Sequence, residues 1–233
     1  MNFLDPSFVS VLSFVRYLKH IDTMILRQTL FLLLLSFLGD YGLQAATISG
    51  QIELKQVQTR RANPRYGGSD SSLLGPASPF VGVVYLTREE GIDYSPPETS
   101  YKLSQRGLQF YPAVLPIELG SSVSFPNMDD TYHNVFSYSP EKRFDLGRYA
   151  KDAVPTPEVV FDEAGQIRVF CEVHEHMRAV VLVLDTPYFT TTDDTGSYSL
   201  EGVPAGEYTL NIWRVNAPLE TSFIQVTEAS KEE

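Results

Sequence analysis

The sequence predicts an all-β protein, because its apolar residues follow the period of half-buried strands and its glycines and prolines separate short segments. Residues 47–54 and 166–171 alternate apolar and polar side chains, as expected for strands with one buried face. Residues 81–86 and 179–184 are largely apolar, which indicates strands buried more completely. Turn-forming residues interrupt the chain between these segments, so the pattern favours packed β-sheets.

The composition is that of a folded, acidic protein. Hydrophobic residues make up 43% and charged residues 20% of the 233 residues, which argues against wholesale disorder. The length suits one large or two small domains. The formal net charge of −11 argues against nucleic acid and anionic membranes as partners, since both need a basic surface. Solubility and a basic protein partner both remain open as reasons for the acidity.

Residues 1–46 are predicted to be a signal-peptide region. A short basic stretch after Met24 precedes an apolar run at residues 30–38, and small residues allow cleavage near Ala45 or Ala46. The run is too short to span a bilayer, which takes about 20 apolar residues. Either the true start is Met24 or the basic region is unusually long. In both cases we expect a periplasmic or otherwise exported protein without a retained membrane anchor.

Further strands and loops follow from the same patterns. Strands are predicted at residues 108–117 and 121–125, where proline and glycine interrupt an otherwise apolar segment. Loops are predicted at residues 60–79, 91–105 and 137–157, where Pro, Gly, Ser or mixed charges interrupt the pattern. The first of these loops carries a basic cluster, which is either a solvated surface or a contact for an acidic partner.

The most distinctive chemistry lies in residues 170–177. This segment contains the only cysteine, Cys171, with His174 three residues further on and Met177 six. From the frequencies of His and Met in this chain, such a coincidence has a probability of roughly 0.0003. A thiolate, an imidazole and a thioether, with a second imidazole, form a donor set that selects copper. The alternative is a small buried hydrophobe, but an unpaired cysteine in an exported protein favours a ligand.

His133 is predicted to supply the second imidazole. It follows the turn-forming residues 126–131, so it is expected where a loop re-enters a strand. The neighbouring Asn134 is suited to hydrogen-bond a second loop and thereby orient the ligand. An isolated histidine in such a place would otherwise be a surface residue.

Two segments, residues 130–135 (DTYHNV) and 171–177 (CEVHEHM), resemble the cupredoxins, small blue copper β-sandwich proteins. Within that family they are most similar to amicyanin and plastocyanin-like proteins. The resemblance implies a Greek-key cupredoxin β-sandwich at residues 105–186 with one type 1 copper site. The ligands that it implies are His133, Cys171, His174 and Met177.

The ligand loop departs from the amicyanin pattern at two positions. Glu175 stands where that loop usually has proline, and His176 is an additional histidine that could compete as a ligand. The family spacing favours His174. In the family, the histidine of the cysteine loop has a solvent-facing edge through which electrons pass, so the resemblance implies that His174 is the electron port.

Residues 192–210 resemble a different fold, the carboxypeptidase regulatory-like, transthyretin-type β-sandwich. Its glycines suit tight turns between strands. This resemblance implies that residues 47–92 and 187–229 are two parts of one small sandwich, with the cupredoxin domain inserted between them. A single extended sandwich is the alternative. The combination is similar to exported proteins labelled as methylamine utilisation proteins.

The expected function is electron transfer without catalysis. A shell of Cys, two His and a long axial Met leaves no obvious open position for a substrate, and the sequence offers no second histidine cluster. We therefore expect a non-enzymatic copper protein with a redox protein partner such as a c-type cytochrome or a dehydrogenase. The alternatives are a periplasmic copper-binding or delivery module and a non-redox β-sandwich interaction protein.

Overall fold

Short β-strands account for the secondary structure of the described part of the chain. The computed structural model describes residues 45–54, 81–95 and 99–227. Within these ranges the chain forms strands without any helix, so the predicted all-β class is confirmed. In chain order the strands are β1 (Ala46–Gln51), β2 (Val83–Thr87), β3 (Ser100–Lys102), β4 (Ser104–Gln105), β5 (Phe110–Tyr111), β6 (Val114–Glu118), β7 (Ser122–Ser124), β8 (His133–Ser139), β9 (Lys142–Tyr149), β10 (Glu158–Val160), β11 (Gly165–Phe170), β12 (Arg178–Leu184), β13 (Phe189–Thr191), β14 (Ser197–Val203), β15 (Gly206–Trp213) and β16 (Glu220–Val226).

A first sandwich is formed by a five-stranded sheet, in the order β6-β12-β11-β8-β9, and a three-stranded sheet, in the order β10-β7-β3. Neighbouring strands are antiparallel except for the parallel pairs β6–β12 and β3–β7. In β11, Ile167 and Val169 are buried while Arg168 is exposed, as the two-residue period of a strand requires. The core between the sheets contains Leu103, Phe110, Ile117, Val123, Phe125, Val135, Tyr149, Phe161, Ile167, Val169, Cys171, Met177, Ala179, Val181 and Val183.

A second sandwich consists of a four-stranded antiparallel sheet, in the order β13-β2-β15-β16, and the antiparallel pair β1–β14. Strands β1 and β2 precede the first sandwich in the chain, and β13 to β16 follow it. The core of the second sandwich contains Leu86, Leu200, Val203, Tyr208 and Val226. The division into residues 47–92, 105–186 and 187–229 as separate domain parts stays a prediction.

The two sandwiches are joined by an apolar layer. Strand β12 is buried on both faces: Val181 and Val183 face the first core, whereas Leu182 and Leu184 belong to a separate cluster. The remaining buried members of that cluster are Val83, Val114 and Trp213, so it reaches from the five-stranded sheet to β2 and β15. The predicted burial of residues 179–184 is confirmed, and its cause is this second covering sheet.

Leu182→Ala should lower the free energy of unfolding by about 2 to 5 kcal/mol, because it leaves a cavity in the layer between the sandwiches. Leu219→Ala is the matched control, since Leu219 is 47% exposed. Its effect should stay within about 0.5 kcal/mol. Trp213 is the only tryptophan and lies in the layer, so denaturant unfolding followed by its fluorescence measures the effect directly. Equal stability of the two variants would contradict the packing role.

Two loop predictions are wrong. Residues 137–157, predicted to have little regular structure, contain the end of β8 and the whole of β9, which pair antiparallel. The strand was hidden because charged residues make up half of it and mask its two-residue alternation, in which Phe144 and Leu146 pack against the first core. Residues 91–105, predicted as a connector, contain the short strands β3 and β4. The predicted strand at residues 108–117 is divided into β5 and β6 around Pro112, which cannot donate to a sheet.

Two predictions lie outside the described residues. They are the signal segment up to residue 44, with its start at Met24, and the basic loop at residues 60–79. In the described ranges the chain has no helix of the length and apolarity needed to cross a bilayer.

Candidate metal centre

Two segments at one end of the five-stranded sheet carry the predicted ligands. His133 is the first residue of β8, and Cys171 directly follows the last residue of β11. Because these strands are antiparallel neighbours, the start of one lies beside the end of the other. The loop 171–177 leads from β11 into β12 and carries His174 and Met177. The sheet pairing therefore gathers residues that are distant in the chain.

Three of these side chains converge on one point. Nδ1 of His133 lies 3.8 Å from Cys171 Sγ, and Nδ1 of His174 lies 3.9 Å from the same sulfur. The two Nδ1 atoms are 3.1 Å apart. His133 and Cys171 are buried, with 0% and 3% of their surface exposed, whereas His174 is partly exposed. One face of the cluster thus lies in the core, and His174 forms its border with solvent.

The spacing of these atoms suits a single metal ion. Ligand nitrogen and sulfur lie about 2.0 and 2.3 Å from such an ion, so a trigonal set has N···S edges of about 3.7 Å and an N···N edge of about 3.5 Å. The observed edges of 3.8, 3.9 and 3.1 Å are close to these values. Electron-pair donors at such distances repel one another unless a proton or a cation lies between them. The donor set therefore fits a mononuclear metal centre.

Met177, the fourth predicted ligand, is 1% exposed and belongs to the same core cluster as Cys171. Its amide donates a hydrogen bond to the carbonyl oxygen of His174 at 2.9 Å, which closes the loop into a turn. The thioether is therefore shielded from solvent, unlike the partly exposed His174. Its role as the axial ligand stays a prediction.

The second nitrogen of His133 is held by a carboxylate. His133 Nε2 donates to Asp129 Oδ2 at 2.9 Å, because a carboxylate can only accept. This bond keeps a hydrogen on Nε2 and turns Nδ1 towards the cluster, where its lone pair becomes available once the proton shared with the sulfur is displaced. Burial raises the pKa of Asp129, but hydrogen bonds from the Leu108 amide, His133 and the Gly107 amide outweigh it, so the pKa lies below its ordinary value.

Sequence reasoning missed both Asp129 and Asn127. Asn127 is 2% exposed and shapes the loop: its Oδ1 accepts from the Asp129 amide at 2.9 Å. Its Nδ2 donates to the carbonyl oxygens of Thr131, at 2.8 Å, and Tyr149, at 3.2 Å. The available signal was a carboxylate four residues before the candidate histidine, within a turn.

Asn134 connects the two ligand-bearing segments. Its Oδ1 accepts a hydrogen bond at 3.3 Å from the amide of Glu172, the residue after Cys171. Its Nδ2 donates to Asp145 Oδ1 on β9 at 2.7 Å. Asn134 thus contacts the loop directly beside the thiol. Its role in orienting the ligands stays a prediction.

His176 lies apart from the convergent group. The described residues that cluster as possible ligands include His133, Cys171 and His174 but not His176. The His176 side chain is exposed, and its Nε2 donates to the carbonyl oxygen of Leu108 at 3.0 Å. Its ring centre is 6.1 Å from that of His174. The geometry therefore favours His174 over His176 as the metal ligand, a choice that the sequence left open.

The ionisation of the cluster suits metal binding. Burial raises the pKa of Cys171, but hydrogen bonds from His133 and from nearby amides outweigh it and set the pKa below its ordinary value. Burial lowers the pKa of His133, but its hydrogen bonds to Cys171 and Asp129 raise it by more. Burial and the neighbouring His133 and His176 lower the pKa of His174. A thiolate and a neutral imidazole are the forms that bind metal, and binding displaces the proton that His133 shares with the sulfur.

Solved structures match parts of this chain. No protein-family model matches it, and no curated protein does. Among solved structures, amicyanin from Paracoccus versutus is 23% identical over 43% of this chain and 97% of amicyanin, with a TM-score of 0.34. A copper(I) form of an amicyanin variant is 20% identical over 36% of this chain and 82% of its own, also at 0.34.

A copper-containing nitrite reductase from Thermus scotoductus SA-01 is 21% identical over 40% of this chain, with a TM-score of 0.34. The match spans 23% of the reductase chain.

Proposed function

We propose that this chain is a mononuclear type 1 copper protein that transfers electrons. The observation that carries the proposal is the convergence of one cysteine sulfur and two histidine Nδ1 atoms within 3.1 to 3.9 Å of one another. A thiolate with two imidazoles, together with a buried thioether, is the donor set expected of blue copper. Copper bound there would supply a one-electron redox couple.

The chain's own residues would keep that centre closed. His133, Cys171 and Met177 are each at most 3% exposed, so water has little access from the core side. His174 is the ligand that reaches solvent, and its ring edge would be the path for electrons. With each donor position taken by a side chain, no position is left for a substrate. We therefore propose an electron carrier and not an enzyme.

The remaining parts of the proposal concern location and partner. An exported protein with a single cysteine has no internal disulfide to form, which suits a thiolate ligand in an oxidising compartment. The net charge of −11 suits a soluble protein partner and not nucleic acid. We propose a periplasmic or otherwise exported carrier that meets a redox protein such as a c-type cytochrome or a dehydrogenase.

The protein loaded with copper(II) should show an intense thiolate-to-copper absorption band and a blue or green colour, because Cys171 would be a short ligand within the trigonal set. The measurement is a visible spectrum at one copper per chain, followed by reduction and reoxidation. Zinc-loaded protein is the control, since zinc has no redox state to report and should stay colourless. A colourless copper(II) adduct would contradict the proposal, and a site that accepts only copper(I) would favour a delivery role.

A further inference from the structure

We infer that the turn at Gly107 and Leu108, together with His176, clamps the two ligand-bearing segments to each other. This inference rests on the proposed copper site, whose rigidity it explains. The turn lies outside both segments, between β4 and β5. In this arrangement His176 is a positioning residue that acts through Leu108. Asp129 binds the turn as well as His133.

One arm of the clamp runs through Asp129 to His133. Asp129 Oδ1 accepts from the Gly107 amide at 2.6 Å, and Oδ2 accepts from the Leu108 amide at 2.9 Å. The same Oδ2 accepts from His133 Nε2 at 2.9 Å. One carboxylate therefore ties the turn to a fully buried imidazole whose opposite nitrogen faces the thiol.

The other arm runs through His176 to the loop that holds the thiol. His176 Nε2 donates to the carbonyl oxygen of Leu108 at 3.0 Å. His176 lies between His174 and Met177 in the chain, so this bond anchors the ligand loop between these two predicted ligands. The backbone of a single residue, Leu108, thus holds both arms: its amide binds one segment and its carbonyl binds the other.

The backbone of the turn is shaped for these two contacts. Gly107 has a φ of 62° and Leu108 a φ of 57°, and the turn is closed by a 2.9 Å hydrogen bond from the Arg106 amide to the Gln109 carbonyl. Two consecutive left-handed residues define a tight hairpin turn and direct successive amides to one side. Leucine is disfavoured in this conformation, so the surrounding contacts must hold it there.

The consequence concerns the two histidine ligands, which come from different segments. A ligand set stays preorganised only when its supporting contacts lock both segments. Loss of the His176 bond should free the ligand loop without removing a ligand. The colour should then persist at matched copper occupancy while copper leaves faster.

The test compares His176→Ala with His176→Gln, whose side-chain amide can still donate to the Leu108 carbonyl. Glu175→Ala, at an exposed position in the same loop, is the matched control. In metal-free protein, amide hydrogen exchange at Gly107 and Leu108 should accelerate about 5-fold in His176→Ala, the effect of one lost hydrogen bond. The control should match the wild type, and His176→Gln should return most of the protection.

In copper-loaded protein, transfer of copper to a chelator should be about 10-fold faster for His176→Ala, the lower end of what a lost outer contact costs. Asp129→Asn should also accelerate release. The double variant Asp129→Asn/His176→Ala should release copper more slowly than the product of the two single accelerations predicts, because both residues act through Leu108. A strictly multiplicative double variant would overturn the clamp.

The inference would be overturned if His176→Ala had the amide exchange and copper release rates of the wild type. It would also be overturned if His176→Gln accelerated both rates as much as His176→Ala. The copper-free exchange measurement separates this inference from the proposed function. If the wild type binds no copper, the proposed function fails, while exchange at Gly107 and Leu108 still decides whether the clamp exists.

Discussion

Cys171→Ser should abolish the visible absorption band and lower copper affinity by more than about 100-fold, since even an outer contact costs 10- to 100-fold. The band requires charge transfer from a thiolate to copper, and a serine hydroxyl stays protonated where the thiol of Cys171 has a lowered pKa. Serine is close to cysteine in size, so the buried position should still pack. Visible spectra and copper titration measure the two effects.

A folded but colourless Cys171→Ser protein is the expected outcome, with far-UV circular dichroism as the check that the sheets remain. Ser137→Ala is a suitable control for a small buried side chain on the same sheet, because Ser137 is fully buried in β8. It should keep both colour and affinity. Retention of the band by Cys171→Ser would show that another donor produces it and would refute the assignment.

His174→Ala should open the centre to solvent, so that copper becomes labile and added imidazole restores the colour. His174 is the partly exposed member of the group, and its removal leaves a gap that a small ligand can enter from outside. The matched control is His176→Ala, which removes the same side chain two residues further along the loop. Spectra of the two variants are compared at equal copper occupancy, with and without imidazole.

The two variants should differ because the two histidine side chains have different contacts. Nδ1 of His174 is 3.9 Å from the sulfur, whereas His176 donates its Nε2 hydrogen to the Leu108 carbonyl. His176→Ala should therefore keep the band and change only the rate of copper release. If His176→Ala bleaches the protein and His174→Ala does not, the loop has a different conformation when metal is bound.

The sequence determined the all-β class and the composition of the candidate centre. The two-residue alternation of short segments follows from the geometry of a strand with one buried face, so it is readable before any fold is known. The spacing from Cys171 to His174 and Met177 is equally local, because three- and six-residue separations within one loop bring side chains near each other. His133 required the additional inference that its strand lies beside the strand that ends at Cys171.

Tertiary structure alone decided what surrounds those donors. Asp129 is one of many carboxylates, and only the folded chain shows that it contacts His133 and the turn at Gly107 and Leu108. Strand β9 escaped prediction because its charged residues mask the alternation that places Phe144 and Leu146 against the first core. For Leu182, the burial was predictable from the sequence. Its packing in one cluster with Trp213, which lies on another sheet, was not. Contacts between distant segments depend on how the sheets stack, and local periodicity records only that a face is buried, not what buries it.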